Sequence, residues 1–329
     1  MRLLVLPILF GQFLFGTNDI WEEVRKSGDT LQIHLDINGV VVGQETIKGH
    51  RTPVEKYAAV MLATGTYHSW AEGEDETSYR LHVWNSLLPG PNSDQELRNR
   101  RKDALYNFVK TLNEEEHPLA YKVDGQYQKL METLKHSPIF PGLDKLVSTL
   151  HEEKVPHHFV FRTFGGDGKI VREHLEEKFS HLSFREGKFE EDGSFRVIGE
   201  DIVISDPKEF RDFIKGAHWL IQDNFYRWRG NGEKGDFGKL FPFSTDIGDN
   251  ILPMFADDNL EIVPTGDQKT IVCCYDVTRN TRVSTEEASK YLMKINPVDA
   301  ALDEDHLLER ITNTVRVLLD RPRYRLFNK

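Results

Sequence analysis

Cysteine is nearly absent from this chain. Of 329 residues only Cys273 and Cys274 carry thiols, side by side in Thr270-Ile271-Val272-Cys273-Cys274-Tyr275. That excludes a disulfide framework and argues against a metal site, because neighbouring strand residues face opposite ways. A basic excess is missing too. The 42 Lys and Arg are outnumbered by 53 Asp and Glu, for a net charge of −11. This is the wrong footprint for nucleic acid, but it leaves a phosphorylated small molecule open, since a bound divalent cation inverts local charge. There is no Asn-x-Ser/Thr acceptor, internal repeat or low-complexity tract. Long apolar runs occur only near the beginning, where Arg2 precedes Leu3 to Phe10 and Phe13 to Gly16. Residues 1–16 thus resemble a short secretory signal, too brief and too broken by Pro7 and Gly11 to span a bilayer. The missing glycan acceptors and disulfides oppose export, so cytoplasm and secretory pathway both stay open. No other segment is apolar enough to cross a membrane.

What is present is an ordinary globular composition, 39% hydrophobic, in a chain long enough for one large domain or two small ones. Leu31 to Asp36, His158 to Phe161, Ala217 to Asp223, Asn250 to Phe255 and Ile271 to Tyr275 read as buried strands. Helical patterns separate them, as in Leu143, Leu146, Val147 and Leu150. Alternating strands and helices predict an α/β fold, a doubly wound parallel sheet with helices on both faces. Residues 46–135 break that alternation with helical periodicity and aromatics (Tyr57, Tyr67, Trp70, Tyr79, Trp84), which predicts a helical insert after the first strand. The core then comprises residues 30–45 and 136–280. A helical extension follows over 281–329, opened by the capping box Ser284-Thr285-Glu286-Glu287. Its last helix carries the stripe Leu308, Ile311, Val315 and Leu318, suited to core packing or to a protein partner.

Polar residues at the ends of these strands carry the chemistry. Asp36 ends the first, and a carboxylate there is costly unless paired or metal-bound. Asn38-Gly39 behind it is a type I′ hairpin signal, compatible with a functional Asp36. Thr163 follows the second strand, and Phe164 to Gly168 gives backbone amides freedom to approach an anion. Lys239 reads on its own as a solvated loop lysine. Asp257-Asp258-Asn259 after Phe255 suggests an oxygen-ligand site suited to magnesium. A nucleophilic carboxylate, a hydroxyl, an ammonium and a carboxylate pair are the inventory for phosphoryl transfer through an aspartyl-phosphate.

In this order, the four pieces resemble the haloacid dehalogenase-like (HAD) hydrolase superfamily from about Thr30 to Tyr275. The resemblance implies a Rossmann-like core in which the insert at 46–135 serves as a mobile cap. It implies Asp36 as nucleophile and magnesium ligand, joined by the backbone carbonyl of Asn38 and by Asp257 and Asp258. Thr163 and the Phe164 segment would hold the phosphoryl oxygens, and Lys239 would offset their charge. One position departs from the pattern. Asn38 stands where phosphatases of the superfamily place the general acid, as in a branch with a DxN first motif. Asn38 cannot titrate, and losing a general acid costs about 10²–10⁴-fold. The expected activity is a magnesium-dependent phosphatase or phosphotransferase on a small phosphorylated metabolite. The alternative is a non-catalytic protein that binds a phosphoryl group, a metal or a protein. Asn38→Asp, nearly isosteric, is expected to restore an acid with packing barely changed.

Overall fold

Strand β1 (Thr30–Asp36) is buried throughout from Leu31 to Asp36, its polar Gln32, His34 and Asp36 included. Such near-continuous burial is the mark of a parallel strand covered on both faces. The computed structural model describes residues 17–320 apart from 45, 48, 49, 93 and 247. The expected signal over 1–16 and the last nine residues of the 281–329 extension lie outside the described residues. Outside residues 46–135 the further strands are β2 (His157–Thr163), β3 (Phe184–Phe189), β4 (Phe195–Val197), β5 (Val203–Ile204), β6 (His218–Gln222), β7 (Lys239–Phe243), β8 (Ile251–Asp257), β9 (Val272–Asp276), β10 (Thr281–Val283) and β11 (Leu292–Lys294).

Eight of these make a central sheet in the order β11-β8-β1-β2-β6-β3-β4-β5. Pairing is parallel from β11 through to β3 and antiparallel for β3–β4 and β4–β5. The protein is therefore α/β with a mostly parallel sheet flanked by helices, compatible with a Rossmann-like fold. From β1 the chain steps to β2 on one side and returns at β8 on the other. The order reverses at β1, and a crevice at the carboxyl ends of such strands is where α/β sheets bind ligands. Helix Pro207–Ile214 sets Phe210 against the rings of Phe189 and Phe195, 5.2 and 4.8 Å between centroids. Leu143, Leu146, Val147 and Leu150 of helix Pro141–Glu152 are fully buried in the larger core, as their spacing predicted.

Three local expectations change. The strand expected at 271–275 forms as β9 but not in the central sheet; it pairs with β7 and β10 in a second, three-stranded sheet. The free edge of β8 is occupied by β11, with Phe255 beside Leu292. The capping box makes its local bond, Glu287 N–H to Ser284 Oγ at 3.0 Å, yet opens no α-helix. Turns, the 3₁₀ turn Ser289–Tyr291 and β11 follow instead, because Tyr291 to Met293 are drawn into the core. The segment after 280 thus supplies two strands as well as helices Pro297–Leu302 and His306–Leu319. In the latter Ile311, Val315 and Leu318 are fully buried and the partly buried Leu308 packs against the same core, so the stripe serves core packing.

Residues 46–135 are mainly helical, with Val54–Gly65, Gln95–Tyr106, Phe108–Glu114 and Ala120–His136 as the longer pieces and two two-residue ladders besides. Trp70 centres an aromatic knot inside this segment, 5.0 Å from Tyr79 and 5.8 Å from Phe108. Among the described residues no helix is long and apolar enough to cross a membrane.

Candidate functional site

The register of β1 places Leu35 beside Ala256 and Asp36 beside Arg162. Asp36, Asp257 and Thr163 therefore leave three adjacent strands at the same level. Carboxylate oxygens of Asp36, Asp257 and Asp258 lie within 4.8 Å of one another, all buried. Lys239 arrives from the second sheet as the first residue of β7. Its Nζ stands 2.7 Å from Asp36 Oδ1 and 2.8 Å from Asp257 Oδ2. With 1% of its surface exposed it is no solvated loop lysine; the two carboxylates are what make its burial tolerable.

Three carboxylates around one ammonium leave the cluster short of positive charge. Burial raises the Asp36 carboxyl well above its ordinary range; Lys239 opposes this, and Asp257 and Asp258 add to it. Burial and then Asp257 push Asp258 up to about 7, against the pull of Arg80 and Lys239. For Lys239 burial works downward, but Asp257, Asp36 and Asp223 outweigh it and hold the ammonium above the usual lysine range. Arg80 belongs to helix Tyr79–His82 of the insert, so residues 46–135 bring a positive charge to bear on Asp258. Its guanidinium sits over the Trp84 ring at 5.4 Å.

Asn259 fixes the acidic pair. Its backbone N–H donates to Asp257 Oδ1 at 2.8 Å and its Nδ2 to Asp258 Oδ1 at 2.6 Å. Gly39 makes room for Asp258: its φ is +82°, and an added Cβ would fall 2.6 Å from Asp258 Oδ2. The type I′ hairpin does not form. Gly39 has positive φ but Asn38 does not, whereas that turn needs both. Val41 and Val42 instead donate to the Ile37 carbonyl at 3.1 and 2.9 Å. Val40, Val41 and Val42 are all buried, where a returning hairpin strand would alternate.

Asn38 is saturated. Its Nδ2 donates to the Gln44 carbonyl and to Asp167 Oδ2, the latter at 3.0 Å, and its Oδ1 accepts from Thr163 Oγ1 at 3.2 Å. Thr163 Oγ1 also accepts from Gly165 N–H at 2.9 Å. The Phe164 ring lies 5.1 Å from Lys239 Nζ and stacks on Trp228 at 5.3 Å; its side chain thus roofs the ammonium. Asp36, Asp257, Asp258 and Lys239 thus form one cluster with Phe164 over it, while Asn38 and Thr163 are bonded to each other.

Sequence reading missed two partners. Asp167 is buried on the Thr163 loop, and Gln44 Nε2 donates to its Oδ1 at 3.4 Å. It lies within the glycine-rich stretch Phe164 to Gly168, which had drawn notice for its backbone alone. Arg162, wholly buried, donates through both Nε and Nη2 to Asp223 and through Nη1 to the Leu240 carbonyl at 2.7 Å. It ties β2 to β7, the strand that carries Lys239. An oxygen-only donor set with surplus negative charge fits a hard divalent cation. No family model, curated protein or solved structure matches this chain.

Proposed function

We propose that the chain is a magnesium-dependent phosphatase or phosphotransferase with a HAD-like core. It acts on a small phosphorylated metabolite through an aspartyl-phosphate on Asp36. The observation that carries this reading is Lys239 Nζ bridging Asp36 and Asp257, 2.7 and 2.8 Å away, beside Asp258. Asp36 attacks phosphorus, the P–O bond to the leaving group breaks, and water later cleaves the acyl phosphate. The carboxylates of Asp36, Asp257 and Asp258, with the Asn38 carbonyl, would hold magnesium, which supplies charge neutralisation at the phosphoryl oxygens. Thr163 and the Phe164 segment hold those oxygens and Lys239 offsets their charge. The insert at 46–135 acts as the cap, an assignment favoured by the pull of Arg80 on Asp258.

Asn38 limits the chemistry. It cannot protonate a departing alkoxide, so esters with good leaving groups turn over fastest. The second reading is a protein that binds a phosphoryl group or a metal without turnover, favoured by the saturation of Asn38.

Turnover of an aryl phosphate with magnesium, in wild type and in Asp36→Asn, tests the first reading. Asp257 remains a counter-ion for Lys239 in the variant, so it should fold and lose turnover completely. Equal activity in both proteins refutes the enzyme. A rise in melting temperature with beryllofluoride and magnesium supports a working nucleophile, and no rise supports the binding reading.

A further inference from the structure

A cavity of about 230 Å³ lies against β7 on the side away from Asp36. Lys239 points its side chain at Asp36, whereas its neighbours Gly238 and Leu240 line the cavity; successive strand residues face opposite ways. Phe189, Phe237, Cys273 and Arg227 complete much of the wall. None of these four serves the chemistry described above.

Arg227 is held in an unusual way. Its guanidinium lies 5.2 Å from the centroid of the Phe237 ring. It also packs against Gly193, where an added Cβ would fall 2.8 Å from Nη2 and φ is +91°. A ring and a bare backbone thus fix the guanidinium. Among the described residues it has no hydrogen-bond acceptor and no ion pair. Each acid around the cavity has a closer partner, although the charge of Asp192 also acts on Arg227 from beyond ion-pair distance. Asp223 is bound by Arg162, Asp236 pairs with Arg282 at 3.5 Å, and Asp192 accepts from Ser194 N–H and Oγ at 2.9 and 2.7 Å. Burial pushes the Cys273 thiol up to about 11, so it brings no competing anion.

We propose that this cavity binds a small organic oxyanion, its acceptor oxygens on Arg227 and its apolar body against Phe189, Phe237 and Leu240. A guanidinium whose plane is fixed but whose N–H edges are free is preorganised for a planar, two-oxygen acceptor. The volume falls below the ~300–1,000 Å³ of drug-sized sites, which restricts the occupant to a small molecule. The site stands apart from the Asp36 cluster and does not depend on phosphoryl transfer.

Calorimetric titration of the full chain with benzoate, without magnesium, tests this. Saturable one-site binding is expected. It should weaken at least ~10-fold in Arg227→Gln, a loss of about 1.4 kcal/mol, and stay unchanged in Asp36→Asn. Inorganic phosphate has no apolar body and should bind at least ~10-fold more weakly than benzoate. No saturation by about 10 mM benzoate, or undiminished affinity in Arg227→Gln, overturns the site. Equal affinity for phosphate overturns the organic ligand. Should Arg227→Gln fail to fold, Arg227→Lys decides, because it keeps the charge and removes the planar fork; unchanged affinity there also overturns the proposal.

Discussion

Asn38→Asp exchanges an amide for a carboxylate of nearly the same shape, yet the neighbours of Asn38 make it a costly change. The amide nitrogen donates to the Gln44 carbonyl and to Asp167 Oδ2, 3.0 Å away. A carboxylate donates to neither, and each buried acceptor left without a partner costs about 1–3 kcal/mol. It also places two negative charges near 3 Å apart, worth about 5 kcal/mol of repulsion at an effective dielectric constant of ~20. The pair escapes most of that by keeping one proton between them, which lifts a carboxyl above the ordinary ~3.9 of Asp. The sign follows. A folded-state value raised above the unfolded one contributes stability that is present below the unfolded value and lost as pH rises through the folded one. Relative to wild type, the variant should lose about 1–3 kcal/mol at about pH 5, from the unpartnered Gln44 carbonyl, and up to about 5 kcal/mol more at about pH 8, where the repulsion is no longer relieved. Urea unfolding in the presence of a chelator reads both values. Adding Asp167→Asn removes one charge and supplies a new amide donor, so the double variant should recover at least ~2 kcal/mol at the higher pH. A deficit independent of pH, with no recovery in the double variant, would mean that position 38 does not face Asp167.

Lys239→Gln strips the cation from between Asp36 and Asp257 and should cost about 3–5 kcal/mol in urea unfolding at neutral pH, with part regained in excess magnesium; a loss below ~1 kcal/mol would show the pair to be unimportant. Asp36 and Asp258 are both raised above their unfolded values, so without metal the contribution of Asp258 is lost as pH rises through about 7, and that of Asp36 is likewise lost as pH rises through its raised value. Magnesium affinity should run the other way, tightening through about 7 as Asp258 gives up its proton, and a flat calorimetric profile refutes the metal role of Asp258. Trp84, under Arg80, should change its fluorescence when phosphate analogue and magnesium saturate the site, while Trp70, enclosed with Tyr79 and Phe108, stays silent. Trp228, stacked on Phe164, can respond on its own, so the readout is the difference between wild type and Trp84→Phe, and no difference refutes closure through Arg80.

The strands that hold the site were legible because burial on both faces leaves an uninterrupted apolar run with a polar residue at its end. Ile251 to Asp257 shows this most clearly, whereas Leu31 to Asp36 alternates apolar residues with Gln32 and His34 before ending on Asp36. Pairing is another matter. β9 was visible as a strand, but which sheet it joins depends on whether the edge of β8 is free, and β11, about twenty residues further on, takes that edge. The capping box satisfied its own hydrogen bond and was overruled by the burial of Tyr291 to Met293. Asp36, Thr163, Lys239, Asp257 and Asp258 were readable from their order. The surroundings of Asn38 were not, since its bond to Asp167 spans 129 residues and the Gln44–Asp167 bond 123. No local pattern announces such contacts.

Lys239 explains why the second sheet exists where it does. An ammonium carried on a loop could follow solvent and leave Asp36 and Asp257 to repel each other. Carried on β7, it is held by the pairing of Lys239 with Val272 and by the backbone bond from Lys239 N–H to the Ile271 carbonyl at 2.8 Å. Phe241, two residues on, faces the same way and packs its ring 5.2 Å from His34 and 5.5 Å from Phe255. The same face of β7 thus seats an apolar ring in the core and a charge in the site. Arg162 closes the frame from β2 through the Leu240 carbonyl. Three strands of one sheet supply the carboxylates and the hydroxyl, and one strand of another supplies the cation. A site so built on rigid elements holds its charges in place before any ligand arrives, and under the proposed phosphoryl transfer that is the condition in which electrostatic stabilisation of the transferring group is largest.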